Sequence, residues 1–370
     1  MSKTLPDLPP FRVPGSPDHI NDHDLFDIWL AAVRDAFYPS PQYNFPAIPD
    51  PAVHGNPGHV EAHNRLRACA EYMKTTDYAT DSSFPAIPAE ADEGEQGHVV
   101  AHNEFRDVFA YVAAHQPSRY NAATGGTVKD VSNYNGTGQT WRVHTFTSSG
   151  TFTVQTADKP FRVLVVAGGG SGGPTTNTSG GGGGGGMLTS DAKSLTVGAH
   201  SVTVGAGGSG GNGGNSSAFD ITATGGGRGG ANGAGSHGGS GGGGGGQNNG
   251  TQNGGSGISG QGHAGGGMKN AGGNKGAGGG GAGGPGQYAD YYSGNGGAGR
   301  ASTITGTDTY YAGGGGGGQP GHQASGGKGG GGGGNVAGTN GLGGGGGGGY
   351  DGPTGKPGGS GVVIVAYQIG

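Results

Sequence analysis

Phe161-Arg162-Val163-Leu164-Val165-Val166-Ala167-Gly168-Gly169-Gly170 decides the fold. The apolar run, broken only by Arg162, reads as a strand buried on both faces. It passes into glycine without a turn. Gly361-Val362-Val363-Ile364-Val365-Ala366-Tyr367 mirrors it at the far end of the glycine-rich region. Working outward, Trp141–Thr147 and Gly150–Val154 flank Ser148-Ser149 as a hairpin. Leu195–Val197 and Ser201–Val204 form another pair, and shorter strand-like pieces lie at 217–222 and 302–305.

The chain of 370 residues holds 99 glycines, and only five precede Gly125. The rest gather in runs such as 181–186, 241–246, 313–318 and 343–349. Long glycine tracts commonly serve as flexible linkers, because ordering a glycine costs more backbone entropy than ordering any other residue. Here the runs are short, similar in length, closed by Asn, Gln, Thr or Tyr, and bracketed by apolar strands. That pattern predicts a folded lattice of polyglycine II helices, with three residues per turn and backbone groups pointing outward to neighbouring runs. A strict Gly-X-Y period is absent, which excludes collagen.

Hydrophobic residues make up 30% and charged residues 12% of the chain, against about 45–50% and 25% in ordinary globular domains. A conventional core cannot extend through the whole chain. Residues 1–120 carry a net charge of −9 and the remainder +4. Neither part has the basic stripe of a nucleic-acid binder. The single cysteine, Cys69, excludes a disulfide framework within one chain and reads as a small helical-face residue. Met1-Ser2-Lys3-Thr4-Leu5-Pro6 has no apolar core, so no secretory leader is expected. No apolar stretch is long enough for a membrane-spanning helix.

Residues 17–118 repeat with a period near 40. The copies begin Pro17-Asp18-His19-Ile20-Asn21-Asp22-His23, Pro57-Gly58-His59-Val60-Glu61-Ala62-His63 and Gly97-His98-Val99-Val100-Ala101-His102. Phe45-Pro46-Ala47-Ile48-Pro49 and Phe84-Pro85-Ala86-Ile87-Pro88 separate them. Each copy predicts one short helix, with Ser16 and Asn56 as N-caps and proline following. The stripes Ile20-His23-Phe26-Leu30-Val33-Phe37, Val60-His63-Leu66-Ala70-Met73 and Val99-His102-Phe105-Phe109-Val112 have coiled-coil spacing. The proline elements predict extended crossovers. Together these predict a stalk in which identical chains bury their seams against each other, a homo-oligomer with a trimer favoured. On the threefold axis of such a stalk, His23, His63 and His102 could hold Zn²⁺ or another divalent ion. Capping or buried histidines explain the same positions.

Gly-x-Gly-x-x-Gly matches arise by composition here and carry no weight. Gly327-Lys328-Gly329 and Gly355-Lys356-Pro357 lack the Ser or Thr of a phosphate-binding loop. No Ser/His/Asp set or carboxylate pair stands out, so no enzyme is expected.

Thr145-Phe146-Thr147-Ser148-Ser149-Gly150-Thr151-Phe152, with Val163–Gly170, Val202–Gly208, Tyr311–Gly315 and Gly361–Val365, resembles the glycine-rich domain of tailed-phage tail proteins. The resemblance covers about residues 141–370. It is to minor tail proteins of actinobacteriophages and, more distantly, to tail-fibre-tip adhesins of T-even-like phages. The repeated helices resemble phage fibre shafts more weakly. This resemblance implies a virion protein at the tail tip, mounted on other tail-tip or fibre proteins by its N-terminal region. Loops between glycine runs would then contact a host cell-surface glycan or glycolipid. Candidate contacts are Gln247, Asn248, Asn249, Gln252, Asn253, Tyr288, Tyr291, Tyr292, Tyr350 and Asp351. Tyrosines that cover lattice edges and amides that satisfy backbone are the plainer reading of the same residues.

The expected organisation is an N-terminal arm (1–16), an oligomerising stalk of three helical repeats (17–118), a polar linker (119–140) and a β-strand-framed polyglycine II head (141–370). A purely structural minor tail protein without receptor contact is the alternative. A free glycine-rich matrix or ice-binding protein fits the lattice but not the helical repeat.

Overall fold

A computed structural model describes Phe26 and residues 28–35, 58–78, 82–87, 98–114, 120–174, 178–246, 251–269, 274–350 and 355–369. The chain divides into two compact units, Met1–Ser118 and Arg119–Gly370.

The first unit contains α1 (residues 28–35), α2 (Gly58–Asp77) and α3 (His98–Ala114). Their apolar stripes meet one another. Phe26, Leu30 and Val33 share one buried cluster with Leu66, Ala70 and Met73 and with Phe105, Phe109 and Val112. Trp29 stacks on Phe109 at 5.0 Å, and Phe26 meets the same ring edge-on at 5.4 Å. Burying each large side chain contributes about 1.5–3 kcal/mol. Phe84 lies against Tyr78 and Tyr111, with ring centroids 5.1 and 5.4 Å away.

This corrects the expected stalk. Among the described residues there is no extended helical repeat; the Phe45-Pro46-Ala47-Ile48-Pro49 element lies outside them. The described part of those seams, from Phe26 to Val33, Leu66 to Met73 and Phe105 to Val112, is consumed inside one chain, because three short amphipathic helices close a core more readily by folding onto each other. The Phe84 element covers that core. Regular structure among the described residues is mostly β.

The second unit opens with a further correction. Residues 119–140, read as a linker, contain β1 (Ala122–Thr124) and β2 (Thr127–Val131). These strands are the edges of two antiparallel sheets. One sheet has the order β2, β3 (Trp141–Phe146), β14 (Val362–Gln368), β5 (Phe161–Val166), β6 (Met187–Lys193). The other has the order β1, β4 (Gly150–Thr156), β7 (Gly198–Thr203), β8 (Ser216–Ala218), β9 (Ile221–Ala223). β10 (Gly245–Gly246) pairs with β11 (Lys275–Gly276), and β12 (Arg300–Ser302) with β13 (Thr309–Tyr311).

The centre of the first sheet is buried on both faces, which is why β5, but for Arg162, and β14 read as apolar runs. Val163, Val165, Val363, Val365 and Tyr367 face the second sheet, packing with Phe152, Val154, Val202 and Ala223. Leu164, Val166, Val362, Ile364 and Ala366 face the other way, against Ile304, Tyr311 and Ala312.

The glycine runs extend from the ends of these strands. Between neighbours β5 and β6 the chain leaves through 168–174 and returns through 178–186. In the returning run the hydrogen bonds repeat every three residues. The N–H groups of Gly180, Gly183 and Gly186 donate to the carbonyls of Gly230, Gly227 and Thr224. Those of Gly181 and Gly184 donate to Ala277 and Gly280, and those of Gly182 and Gly185 to Gly346 and Gly343. All seven bonds are 2.8–2.9 Å long. The same run accepts from Gly170 and Gly173, from Ser240 and Gly243, and from Gly315. It therefore bonds to six neighbouring runs. A Cβ on Gly182 would overlap the carbonyl oxygen of Gly170, so glycine here is a requirement of close approach.

Candidate functional site

The lattice has a sheet end and a free end. Gly168, Gly186 and Gly361 adjoin β5, β6 and β14. Gly180 stands six residues further along its run, about 19 Å away at about 3.1 Å per residue. At its level lie Gly173 and Gly230, and one residue beyond it Ser179 ties the outer ends together. The Ser179 carbonyl accepts from the Gly318 N–H at 2.9 Å, and its hydroxyl accepts from the Gly349 N–H at 2.8 Å.

Several of the residues that interrupt the glycine lie at this free end, others such as Gln261 and Asn340 at the sheet end. The loop 288–293 is held at both of its ends. Ala289 donates to Gly267 (3.0 Å) and accepts from Lys269 (2.9 Å), while the Ser293 hydroxyl donates to Gly318 (3.0 Å). The Lys275 ammonium donates to the Asp290 carbonyl. In this loop three tyrosines stand out of the surface: Tyr288 is 56% exposed, Tyr291 80% and Tyr292 62%. Lys269 Nζ sits 4.2 Å from the centroid of the Tyr288 ring. Tyr292 stacks on His322 at 4.5 Å. Beside them the Gln323 amide donates to the Tyr350 hydroxyl at 2.9 Å.

Gln252 joins the same end through its carbonyl, which accepts from Met268 N–H at 2.7 Å, and Asn253 follows it, exposed. The fold thus brings together Gln252, Asn253, Tyr288, Tyr291, Tyr292 and Tyr350. Gln247, Asn248, Asn249 and Asp351 lie outside the described residues. Lys269, His322 and Gln323 were not singled out in the sequence, although they too interrupt glycine. Their pairing with tyrosines some 20 to 30 residues away exists only in the folded lattice. Planar rings flanked by amide and ammonium groups can stack on a sugar ring and hydrogen-bond its hydroxyls.

The chain enters this unit at the opposite end. Asn121 clasps Lys159, donating to its carbonyl (2.8 Å) and accepting from its N–H (2.9 Å). Lys159 Nζ sits over the Tyr120 ring at 4.4 Å. Only Pro160 separates Lys159 from β5, whose six residues hold it away from the lattice by about 20 Å.

Of the proposed metal ligands, His23 and the side chains of His63 and His102 lie outside the described residues. Among the described residues no group of three His, Cys, Asp or Glu side chains is arranged to hold a metal ion. The electrostatic perturbations lie in the two facing sheets, the Tyr134–Gly136 turn between β2 and β3, and the β12–β13 pair. Asp130 and Arg142 form a two-pronged pair at 2.7 Å each, and that hydrogen bonding holds the Asp130 carboxyl below its usual range. Burial pushes the hydroxyls of Tyr134, Tyr311 and Tyr367 up.

A family model described as a glycine-rich domain matches residues 146–368. The span runs from the end of β3 through the lattice to the last residue of β14. No curated protein matches the chain.

Proposed function

The chain belongs to the glycine-rich domain family, and from that premise we propose that it is a phage tail-tip structural protein and adhesin. It acts by binding, not by catalysis. One observation carries the reading: three exposed tyrosines and their polar partners sit on the free end of a hydrogen-bonded lattice, while the chain enters at the remote end. A rigid frame with its attachment at one end and aromatic loops at the other suits a protein that presents a surface to a cell. The target is a host surface glycan or glycolipid, and the first unit joins other tail-tip or fibre proteins. A homo-oligomer then uses a surface other than the helix seams.

The alternative is a minor tail protein with a purely structural role. Exchange of residues 247–253 and 285–293 within the virion separates the two. Altered adsorption or host range supports the adhesin; unchanged adsorption by intact particles leaves the structural role.

A further inference from the structure

The sandwich carries a groove of about 600 Å³ between the segment following β6 and strands β7 to β9. It lies far from the lattice end, since Lys193 at its edge pairs with Phe161, the residue of β5 most remote from the glycine runs. Leu195, Phe219 and Ile221 supply an apolar floor. Lys193, Thr196, Asp220 and Thr222 line the rim, all but Lys193 well exposed.

The β8–β9 turn is unusual. Phe219 and Asp220 both adopt left-handed backbone, with φ of 52° and 62°, where a two-residue hairpin turn favours Asn and Gly. The ring of Phe219 accounts for its own position. It packs edge-on against Phe152 and His200, both at 5.6 Å. His200 Nε2 in turn lies 2.8 Å from the Thr196 carbonyl, tying the rim segment to β7. No such contact accounts for Asp220. Its carboxylate has no hydrogen bond or ion pair among the described residues, and neither has the Lys193 ammonium. The turn therefore holds a carboxylate at a fixed point over the groove, at a position that glycine would occupy with less strain.

We propose that this groove binds a neutral mono- or disaccharide, at a site independent of the lattice-end tyrosines. A sugar has an apolar C–H face and a rim of hydroxyls. The floor takes the face. Asp220 accepts from a pair of adjacent hydroxyls, and Lys193, Thr196 and Thr222 complete the hydrogen bonding. Lys193 and Asp220 carry opposite charges, so the groove has no net field to select an anion. Its volume falls within the range of about 300–1,000 Å³ usual for small-ligand sites.

The test is a titration of the isotope-labelled full chain, followed by amide NMR. The probes are maltose, lactose, cellobiose, N,N′-diacetylchitobiose and, as the anionic arm, digalacturonate. At least one neutral disaccharide should shift resonances of residues 193–201 and 217–222. Its dissociation constant should rise at least about tenfold, equivalent to about 1.4 kcal/mol, in both Asp220→Asn and Asp220→Gly. Asp220→Gly should keep or raise the thermal midpoint, which separates a lost ligand contact from a lost fold. Tyr291→Ala should leave this binding unchanged, so failure here and failure of the adhesin reading are distinguishable. No shift at these residues with any neutral probe, shifts with digalacturonate alone, or wild-type affinity in either Asp220 variant would overturn the proposal.

Discussion

The hydroxyl of Tyr367 stands 3.1 Å from His144 Nε2 between the two sheets, with the imidazole fully buried. His144 Nδ1 lies 2.7 Å from the Gly125 carbonyl, so Nδ1 carries the proton and Nε2 accepts from Tyr367. The Tyr367 oxygen in turn accepts from Ala123 N–H at 3.0 Å. One chain of hydrogen bonds thus joins β1, β3 and β14. Burial holds His144 below the ordinary histidine value, partly opposed by its bond to Gly125. The unfolded chain therefore binds the proton more readily than the native one. Stability is complete above about pH 6.5 and falls as pH drops through that value toward the native pKa. Denaturant unfolding of the second unit at pH 7 and pH 5 should show a lower midpoint at pH 5, and a pH-independent midpoint would refute the assignment.

Tyr367→Phe tests the same chain from the other side. It leaves His144 Nε2 and the Ala123 N–H buried without their partner. The expected cost is about 1–3 kcal/mol, since an unmet buried polar group loses its full solvation. The measurement is the unfolding free energy at pH 7, where His144 is mostly neutral in both states.

Gly182→Ala should cost about 3 kcal/mol or more. Its Cβ would meet the carbonyl oxygens of Gly170 and Ser171, and six neighbouring runs prevent the backbone from stepping aside. Gly211→Ala is the control. Nothing lies within 4 Å of its Cβ, so the change should stay within about 0.5 kcal/mol. Thermal midpoints of the two variants decide whether glycine in the lattice is a packing requirement or only a compositional habit.

What could be read in the sequence follows from how each element is buried. β5 and β14 were visible because burial on both faces leaves no polar alternation to obscure them. β2 was not: four of its five residues are exposed, and Thr127-Val128-Lys129-Asp130-Val131 looks like a loop. The helical stripes were visible, yet a stripe does not say whether its partner is another chain or the next repeat. Only the shared cluster of Leu30, Leu66 and Phe109 answers that. At the candidate site the tyrosines stood out as interruptions of glycine. Their partners Lys269, His322 and Gln323 did not, because the lattice register that brings them together is invisible in a run of identical residues.

The intrachain bundle makes a prediction about concentration. The two tryptophans fall in different units, so Trp141→Phe leaves Trp29 as the reporter of the first. With its seam closed inside one chain, the Trp29 unfolding midpoint should not move across a wide dilution series. Phe109→Ala removes the ring on which Trp29 stacks and should cost about 3–5 kcal/mol. A midpoint that falls on dilution would mean that contact with another copy, at the seam or at the other surface of a homo-oligomer, stabilises this unit.

The lattice-end tyrosines separate binding from folding. Tyr291 is 80% exposed, and no hydrogen bond or ring contact joins it to another described residue. Its replacement by Ala should change stability by less than about 0.5 kcal/mol. Tyr292 stacks on His322 and Tyr288 lies beneath Lys269, so their loss also frees two cationic or polar neighbours from their present positions. An interface concentrates its energy in a few aromatic anchors, each worth about 2 kcal/mol or more. Tyr291→Ala should therefore weaken attachment of the purified chain to host cells at least about tenfold. The combined Tyr288, Tyr291 and Tyr292 variant should abolish it while the thermal midpoint of the second unit stays near wild type. Full attachment by the triple variant would show that the exposed rings are not the contact. A parallel fall in attachment and midpoint would show that they act as part of the lattice instead.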